Sequence, residues 1–571
     1  MDDKKFEPEK TYKDFNEIGQ AEGDEVLENY IDGALNEVTA NLPALEAAAT
    51  EAQAKAAAEA EEETVKEKKS FEKKVAEAFF KLPAGDIHNA TRIFFAFGNE
   101  IRYNTSNNFW GFFKKGVWRF ETDKSSALYP YTRQLAAIAS DNIPKTIAPP
   151  TKEDGSLDSS HPEYKKIQKH NQYCKWASEI VKRWSSRKLQ SNAIEMLKGV
   201  NEILIKQEDL DQYPMLLNVE NGTLDLETGE FYPHDPRQLL TKQCNVVYNP
   251  AARAPVFENF MQQILPDEDT RAAVLRYLGY CLTGRINEEK ALFVWGSGAN
   301  GKGTLFQTIL KLFGSYGTSF NINALIKSKY PRDGEAATPE FAKLEGVRLA
   351  VAEEIPRGAN FDVAKFKNLT GGDPIPIRQM YQIARIIEKP THKFIFSGND
   401  LPRAESATDD GFNRRLVVTK FLQQFTGDNA DLTLKAKLET PDELSGIFNI
   451  LLAECLEWQK PKAAGGGLIK SAAMEHEKQS YIADNDWFSD FISEQCELGA
   501  DYDVARKALI KELKSFDSRA YKYTDRQLEE MFLKLDGVTL EQGERHSKYP
   551  SAKFFKGIQL TNNDIEPPPF Y

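Results

Sequence analysis

The stretch FVWGSGANGKGTLFQTIL, residues 293–310, passes from an apolar run through a glycine-rich turn into a helical pattern that begins near Thr304. With Ala291 and Leu292 the apolar run becomes ALFVW, a candidate buried strand. The turn satisfies G-x-x-x-x-G-K through Gly296, Gly301 and Lys302. Such a loop works because glycines let consecutive backbone N–H groups face a phosphate at a helix N-terminus, while the lysine reaches the terminal phosphates. Gly296, Gly298, Asn300, Gly301, Lys302, Gly303 and Thr304 are therefore candidate nucleotide-binding residues. One position departs from the pattern. Gly303 stands where a Ser or Thr hydroxyl normally follows the lysine, and Thr304 supplies a hydroxyl one residue later. A fortuitous glycine-rich turn is the competing reading.

Three downstream segments favour a nucleotide site. VRLAVAEEIPRG, residues 347–358, is a short apolar strand ending in Glu353 and Glu354. Paired acids there supply one carboxylate for hydrated Mg2+ and one to orient an attacking water. KFIFSGND, residues 393–400, is another apolar strand ending at Asn399, which can hydrogen-bond a terminal phosphate or the lytic water. DDGFNRRLVV, residues 409–418, places Arg414 and Arg415 before a further strand, where an arginine can reach the nucleotide of a neighbouring subunit. Each segment alone has an ordinary structural explanation: a strand end, turn chemistry, a salt-bridged pair. Their order and compact spacing fit one α/β nucleotide site completed in trans, with ATP and Mg2+ as its ligands.

The whole chain bounds the setting. Its 571 residues suggest about three or four domains. No run approaches the roughly 18 apolar residues of a membrane span, and MDDKKFEPEK lacks the pattern of a signal peptide. A cytoplasmic protein with no membrane contact is expected. The five cysteines form no C-x-x-C pair, so neither a zinc module nor a disulfide framework is suggested. The net charge of −13 argues against wrapping nucleic acid over the whole surface but leaves room for a local basic channel.

The expected organisation has six parts. Residues 1–78 are a charged Ala/Glu-rich arm, helical or disordered, with almost no apolar stripe before Phe71. Residues 79–250 read as an N-terminal α+β domain. Within it NNFWGFFKKGVWRFETD, residues 107–123, is either a hairpin with an aromatic core or a base-stacking platform with Lys114, Lys115 and Arg119 on phosphates. Residues 251–290 read as a helical collar interrupted by Pro266, and 291–425 as the ATPase core. A helical segment and Gly-rich linker fill 426–480. Residues 481–571 show three helical patterns followed by two strand-like runs, a winged-helix-like order. Between Arg506 and Arg526, seven basic residues (Arg506, Lys507, Lys511, Lys514, Arg519, Lys522, Arg526) outnumber three acids (Glu512, Asp517, Asp525). Duplex origin DNA or replication proteins are the partners considered for that module.

KNLTGGDPIPIRQMY (367–381), KPTHKFIFSGNDLP (389–402) and DDGFNRRLVV carry a resemblance. The chain resembles superfamily 3 DNA helicases, specifically the helicase half of phage and plasmid primase-helicases, the group that includes the poxvirus and satellite-phage proteins. The resemblance covers roughly residues 200–560, more weakly from about 80. It implies an AAA+-like P-loop ATPase core within an α/β fold. It also implies Lys302 on the β- and γ-phosphates, Thr304 beside the metal and α-phosphate, and Glu353 with Glu354 as the Walker B pair, Glu353 toward the metal. Asn399 is implied as the sensor and Arg414, with Arg415 second, as the trans arginine. A hexameric ring on single-stranded and forked DNA follows, with Lys367, Arg378, Gln379 and Tyr381 as DNA-contacting candidates near a channel hairpin. No primase palm is evident before residue 250, and the acidic pair Asp209 and Asp211 is isolated. The expected function is a replicative DNA helicase of a phage or mobile element. The alternatives are a replication initiator or interference protein using ATP for assembly, or a primase-helicase with a divergent primase.

Overall fold

The computed structural model describes residues 66–121, 125–327, 339–356, 361–377, 385–402, 410–485, 487–543, 548–549 and 552–561. Most of the charged arm, and with it Arg378, Gln379 and Tyr381, lies outside the described residues. Two compact units form: one from the chain up to Gly98 together with Asp123–Leu204, the other from Asn99–Thr122 and Ile205 onward. The stretch 79–250, read as one domain in the sequence, is thus shared between both. No described helix is long and apolar enough to cross a membrane.

The first unit is built from helices at residues 66–81, Asp86–Phe97, Tyr129–Asp141, Tyr164–Trp184 and Arg187–Leu197. Its buried polar groups are satisfied locally. The Arg92 guanidinium donates to the Phe79 and Pro83 carbonyls (3.0 and 3.1 Å), and the Trp184 indole donates to the Thr132 carbonyl (2.9 Å).

In the second unit, Phe109–Lys114 and Val117–Glu121 pair as a hairpin turned by Lys115 and Gly116, both at positive φ. Trp110 and Trp118 are fully buried, and the Trp118 indole donates to the Pro236 carbonyl (2.8 Å). The aromatic-basic stretch is therefore a hairpin core, and its tryptophans are not available for stacking on bases. Leu216–Val219, Gly222–Asp225 and Phe231–Tyr232 form a small antiparallel sheet. Asp211 is a structural carboxylate: it accepts from the Thr241 amide (2.7 Å) and hydroxyl.

The centre of this unit is a five-stranded parallel sheet of β1 (Ala291–Trp295), β2 (Gly317–Ser319), β3 (Leu349–Glu353), β4 (Lys393–Gly398) and β5 (Leu416–Lys420), in the order β5-β1-β4-β3-β2. The registers Gly398↔Trp295, Ser397↔Glu353 and Lys420↔Trp295 align the carboxyl ends of the four neighbouring strands. Strands buried on both faces need uninterrupted apolar runs, which ALFVW and KFIFSG provide. Helices α1 (Pro255–Ile264) and α2 (Glu268–Cys281) precede the sheet. Proline opens α1, and Asp267 caps α2 by accepting from the Thr270 amide (2.8 Å). Gly279 of α2 lies against α6 (Pro441–Gln459), where a Cβ would come within 2.7 Å of the Cys455 nitrogen, so only glycine permits that approach. Between α2 and α6 in sequence come α3 (Lys302–Phe313), α4 (Val363–Gly371) and α5 (Leu434–Leu438).

His392, at the start of β4, is buried with its Nε2 on the Leu369 carbonyl (3.1 Å). Burial holds its imidazole neutral, down at about 3. Because the folded value lies below the unfolded one, the unfolded chain binds the extra proton first. Stability is full above about pH 6.5 and falls as pH drops toward 3, with a steepest slope of about 1.4 kcal/mol per pH unit. His392→Gln should flatten this part of the profile, measured by urea unfolding between pH 7 and 5; an unchanged slope would contradict it.

After α6 come α7 (Ala472–Asn485), α8 (Trp487–Gln495), α9 (Arg506–Phe516) and α10 (Asp525–Phe532). The three helical patterns of the C-terminal module form as expected, and its last two strands, Thr539–Gln542 and Lys553–Leu560, pair antiparallel. A ten-residue strand, Cys496–Ala505, joins them and was not anticipated, because CELGADYDVA alternates too weakly to announce itself.

Candidate active site

The loop between β1 and α3 is shaped by residues that must be glycine. Gly296, Gly298 and Gly301 all have positive φ (158°, 86° and 83°). A Cβ on Gly301 would also fall 2.6 Å from Ile264 of α1, so the collar helix presses directly on the loop. Ala299 adopts φ 50° between them. The segment after β5 fastens the loop from the other side: the Phe425 amide donates to the Ala299 carbonyl (2.7 Å), and the Gln424 amide side chain donates to Ser297 Oγ (2.7 Å).

Lys302, the first residue of α3, is only 6% exposed. Its ammonium donates to the Gly296 carbonyl and to Asn300 Oδ1, both at 3.0 Å, so it points back into the loop. Burial pushes its pKa down. Gly303 differs from the other three loop glycines. It is exposed, has an ordinary helical backbone, and a Cβ there would meet nothing within 4 Å. Nothing steric demands glycine at this position; its effect is to leave the start of α3 open. Thr304 follows, half-buried.

Glu353 ends β3 and Asn399 follows β4, so both reach the same carboxyl edge of the sheet as the loop. The strand order places Asn399 between the glycine-rich loop and the acids, and its Oδ1 lies 4.0 Å from the position a Cβ would take on Gly298. Partial loss of hydration and the neighbouring Glu354 charge push the Glu353 carboxyl up, while the Lys435 ammonium opposes them. Glu354 is held at φ 61°, unusual for a non-glycine residue. This edge can receive a polyanion: N–H groups at a helix N-terminus, a poised ammonium, two exposed carboxylates and an amide converge on it.

Arg414 and Arg415 lie at the opposite edge, before β5 begins, a full strand away or roughly 15 Å. They are not equivalent. The Arg415 side chain is 8% exposed and engages Glu289 (2.7 Å), Thr370 Oγ1 (3.1 Å) and the Gly411 carbonyl (2.8 Å). Its donors are committed within the fold. The Arg414 side chain is 64% exposed and makes a single 3.0 Å contact to Glu289. Lys367 lies on α4, next to the antiparallel pair Ile375–Ile377 and Arg385–Ile387, whose connecting residues fall outside the described ones. Sequence reasoning missed Gln424, Phe425 and Lys435. No local signal marks them, since Gln424 and Phe425 reach the loop, and Lys435 reaches Gln307 of α3, only through folding.

Residues 90–266 match the family described as D5 N terminal like, and residues 294–415 match a family of unknown function (DUF5906). A candidate helicase of Acanthamoeba polyphaga mimivirus, L207/L206, is 30% identical over 307 residues, covering 50% of this chain and 31% of the relative. A candidate primase of African swine fever virus, C962R, is 25% identical over 326 residues, covering 52% and 32%. The chain fits the primase-helicase family. The matched part of it spans about a third of the length of these viral relatives. Among solved structures, the apo C-terminal region of NrS-1 covers 77% of this chain and 83% of its own, at 13% identity and a TM-score of 0.39. The resemblance carried by the motifs of this chain agrees with these viral relatives.

Proposed function

We propose that this chain is an ATP-dependent DNA helicase of viral or mobile-element replication, working as a ring, hexameric by resemblance, on single-stranded DNA. The observation that carries the proposal is the split of the site across the sheet. The glycine-rich loop, Glu353 and Asn399 meet at one edge, while the exposed Arg414 stands at the other. An arginine so placed serves a second copy's nucleotide, not its own. The core is then a P-loop ATPase of AAA+ type, with hydrolysis at subunit interfaces.

The residues fit ATP with Mg2+. The open start of α3 and the buried, desolvated Lys302 offer a cradle for phosphate oxygens. Glu353 would hold Mg2+ through its carboxylate, and the Thr304 hydroxyl would support the ion directly or through a bound water. Bound Mg2+ neutralises charge developing on the phosphates. Lys302 releases its loop partners to hold the terminal phosphates, and Asn399 and the free acid of the Glu353–Glu354 pair orient the attacking water. Arg414 stabilises charge in trans. Lys367 and the ribbon beside it, with Arg378, Gln379 and Tyr381, would contact the DNA backbone in the ring's channel.

A replication-initiator reading draws on the C-terminal module, winged-helix-like in its element order, where Lys507 and Lys511 are exposed on α9. Against duplex reading by α10, that helix carries Asp525, Glu529 and Glu530, paired with Lys514 (2.6 Å), Arg506 and Arg526 (3.3 Å) respectively.

The deciding measurement is ATP hydrolysis with and without single-stranded DNA, together with unwinding of a forked duplex. A helicase gives DNA-stimulated turnover and strand separation; turnover without separation, accompanied by sequence-specific duplex binding, favours the initiator. In the same assay Thr304→Ala should raise the Mg2+ concentration for half-maximal turnover about tenfold, the loss of one metal-side hydrogen bond. An unchanged Mg2+ requirement removes Thr304 from the metal site.

A further inference from the structure

The surface left open at Gly303 has a cation on its rim. In α3, Gly303, Gln307 and Lys311 follow one another at four-residue intervals and share a face. Side chains on a helix lean toward its N-terminus, so Gln307 covers the turn that begins at Gly303. Lys435 Nζ donates to Gln307 Oε1 at 2.8 Å. A second contact fixes the approach of α5: Lys311 Nζ pairs with Glu439 Oε2 (2.7 Å), just beyond the end of that helix. Glu439 also pairs with Lys435, at a marginal 3.9 Å. The Lys435 side chain is 53% exposed, and its charge is felt at the Glu353 carboxyl on the far side of the loop. Lys435 is thus anchored on Gln307, one turn along α3 from the open position at Gly303, with its charge close enough to act on the acidic strand end.

We propose that Lys435 binds the phosphate chain of the nucleotide from within the same chain, across the opening that glycine leaves at position 303. This rests on the nucleotide-site assignment made above and adds a ligand to it. The usual hydroxyl side chain after the lysine would fill part of that space, whereas a bare Cα admits a long cationic side chain arriving from outside the core. A flexible ammonium suits this task, because it can leave Gln307 for a phosphate oxygen without disturbing the backbone. The arrangement also ties α5, a helix beyond the sheet, to the presence of nucleotide.

The test is equilibrium binding of a fluorescent ATP analogue, and of ADP, to the full chain. Lys435→Met should weaken binding about tenfold, the scale of one charge-assisted hydrogen bond to phosphate. Lys435→Arg should retain most of the affinity, because the charge and reach are kept. Lys437→Met, which removes a neighbouring lysine paired with Asp431 on the same short helix, should bind as the wild type does. Wild-type affinity in Lys435→Met, alongside lost binding in Lys302→Ala, overturns the inference and leaves the nucleotide site standing. No binding by the wild-type chain, or full binding by Lys302→Ala, overturns the site itself and the inference with it.

Discussion

Lys302→Ala should lower ATP turnover by about 10²–10³-fold, the usual cost of removing one preorganised donor from developing oxyanion charge. The loss should exceed that of any other single change on this edge of the sheet, because Lys302 is the only buried cation among the described loop residues. Folding should be spared: the two acceptors it gives up, the Gly296 carbonyl and Asn300 Oδ1, belong to a loop that the collar and the segment after β5 hold independently. Phosphate release measured with and without DNA, beside a thermal melt, separates the two effects. Fork unwinding that survives Lys302→Ala would sink the helicase proposal.

Arg414→Ala should leave nucleotide binding near the wild-type level and reduce turnover by about 10³-fold, the lower range for loss of an arginine acting in trans. The distinguishing experiment mixes subunits. Alone, the Lys302→Ala and Arg414→Ala proteins should each hydrolyse ATP only at their reduced rates, yet in mixed rings some interfaces pair an intact Lys302 with an intact Arg414, and activity should partly return. If mixing restores nothing, the trans role is wrong. Arg415→Ala should behave differently, as a folding defect of about 2 kcal/mol, because it takes the donors from the buried Thr370 hydroxyl and the half-buried Gly411 carbonyl and leaves Glu289 with Arg414. It should appear as a lower melting temperature, whatever the nucleotide.

The contrast between these two arginines illustrates what could be read from the sequence. RR before a strand announces a cationic pair, but the identity of the buried member depends on Glu289 and Thr370, brought from distant segments. The strand, loop and α3 were legible because glycine spacing and apolar runs encode local dihedrals and burial. The α1 and α2 boundary was legible in the interrupting Pro266, whereas the opening of α1 at Pro255 and the cap of α2 at Asp267 came from the structure. The strand Cys496–Ala505 was not, since its pairing with Lys553–Leu560, and not its own pattern, makes it a strand. The hairpin at Trp110 and Trp118 was equally ambiguous until burial assigned its aromatics to a core.

The sequence by itself determined a mixed α/β chain that resembles primase-helicases, with a glycine-rich loop opening a helix, an acidic strand end and an asparagine strand end. Those features depend on residues adjacent in the chain, where local sterics and periodicity decide. Only the tertiary structure decided that β4 stands between β1 and β3, that Arg414 is presented while Arg415 is enclosed, and that Lys435 reaches Gln307 on the face of α3 that begins at Gly303. Each depends on long-range packing, which selects among neighbours that local patterns leave equivalent. Gly303, which interrupts the usual loop pattern, owes its meaning to that packing: the opening it leaves is significant only because of what α5 brings to its rim.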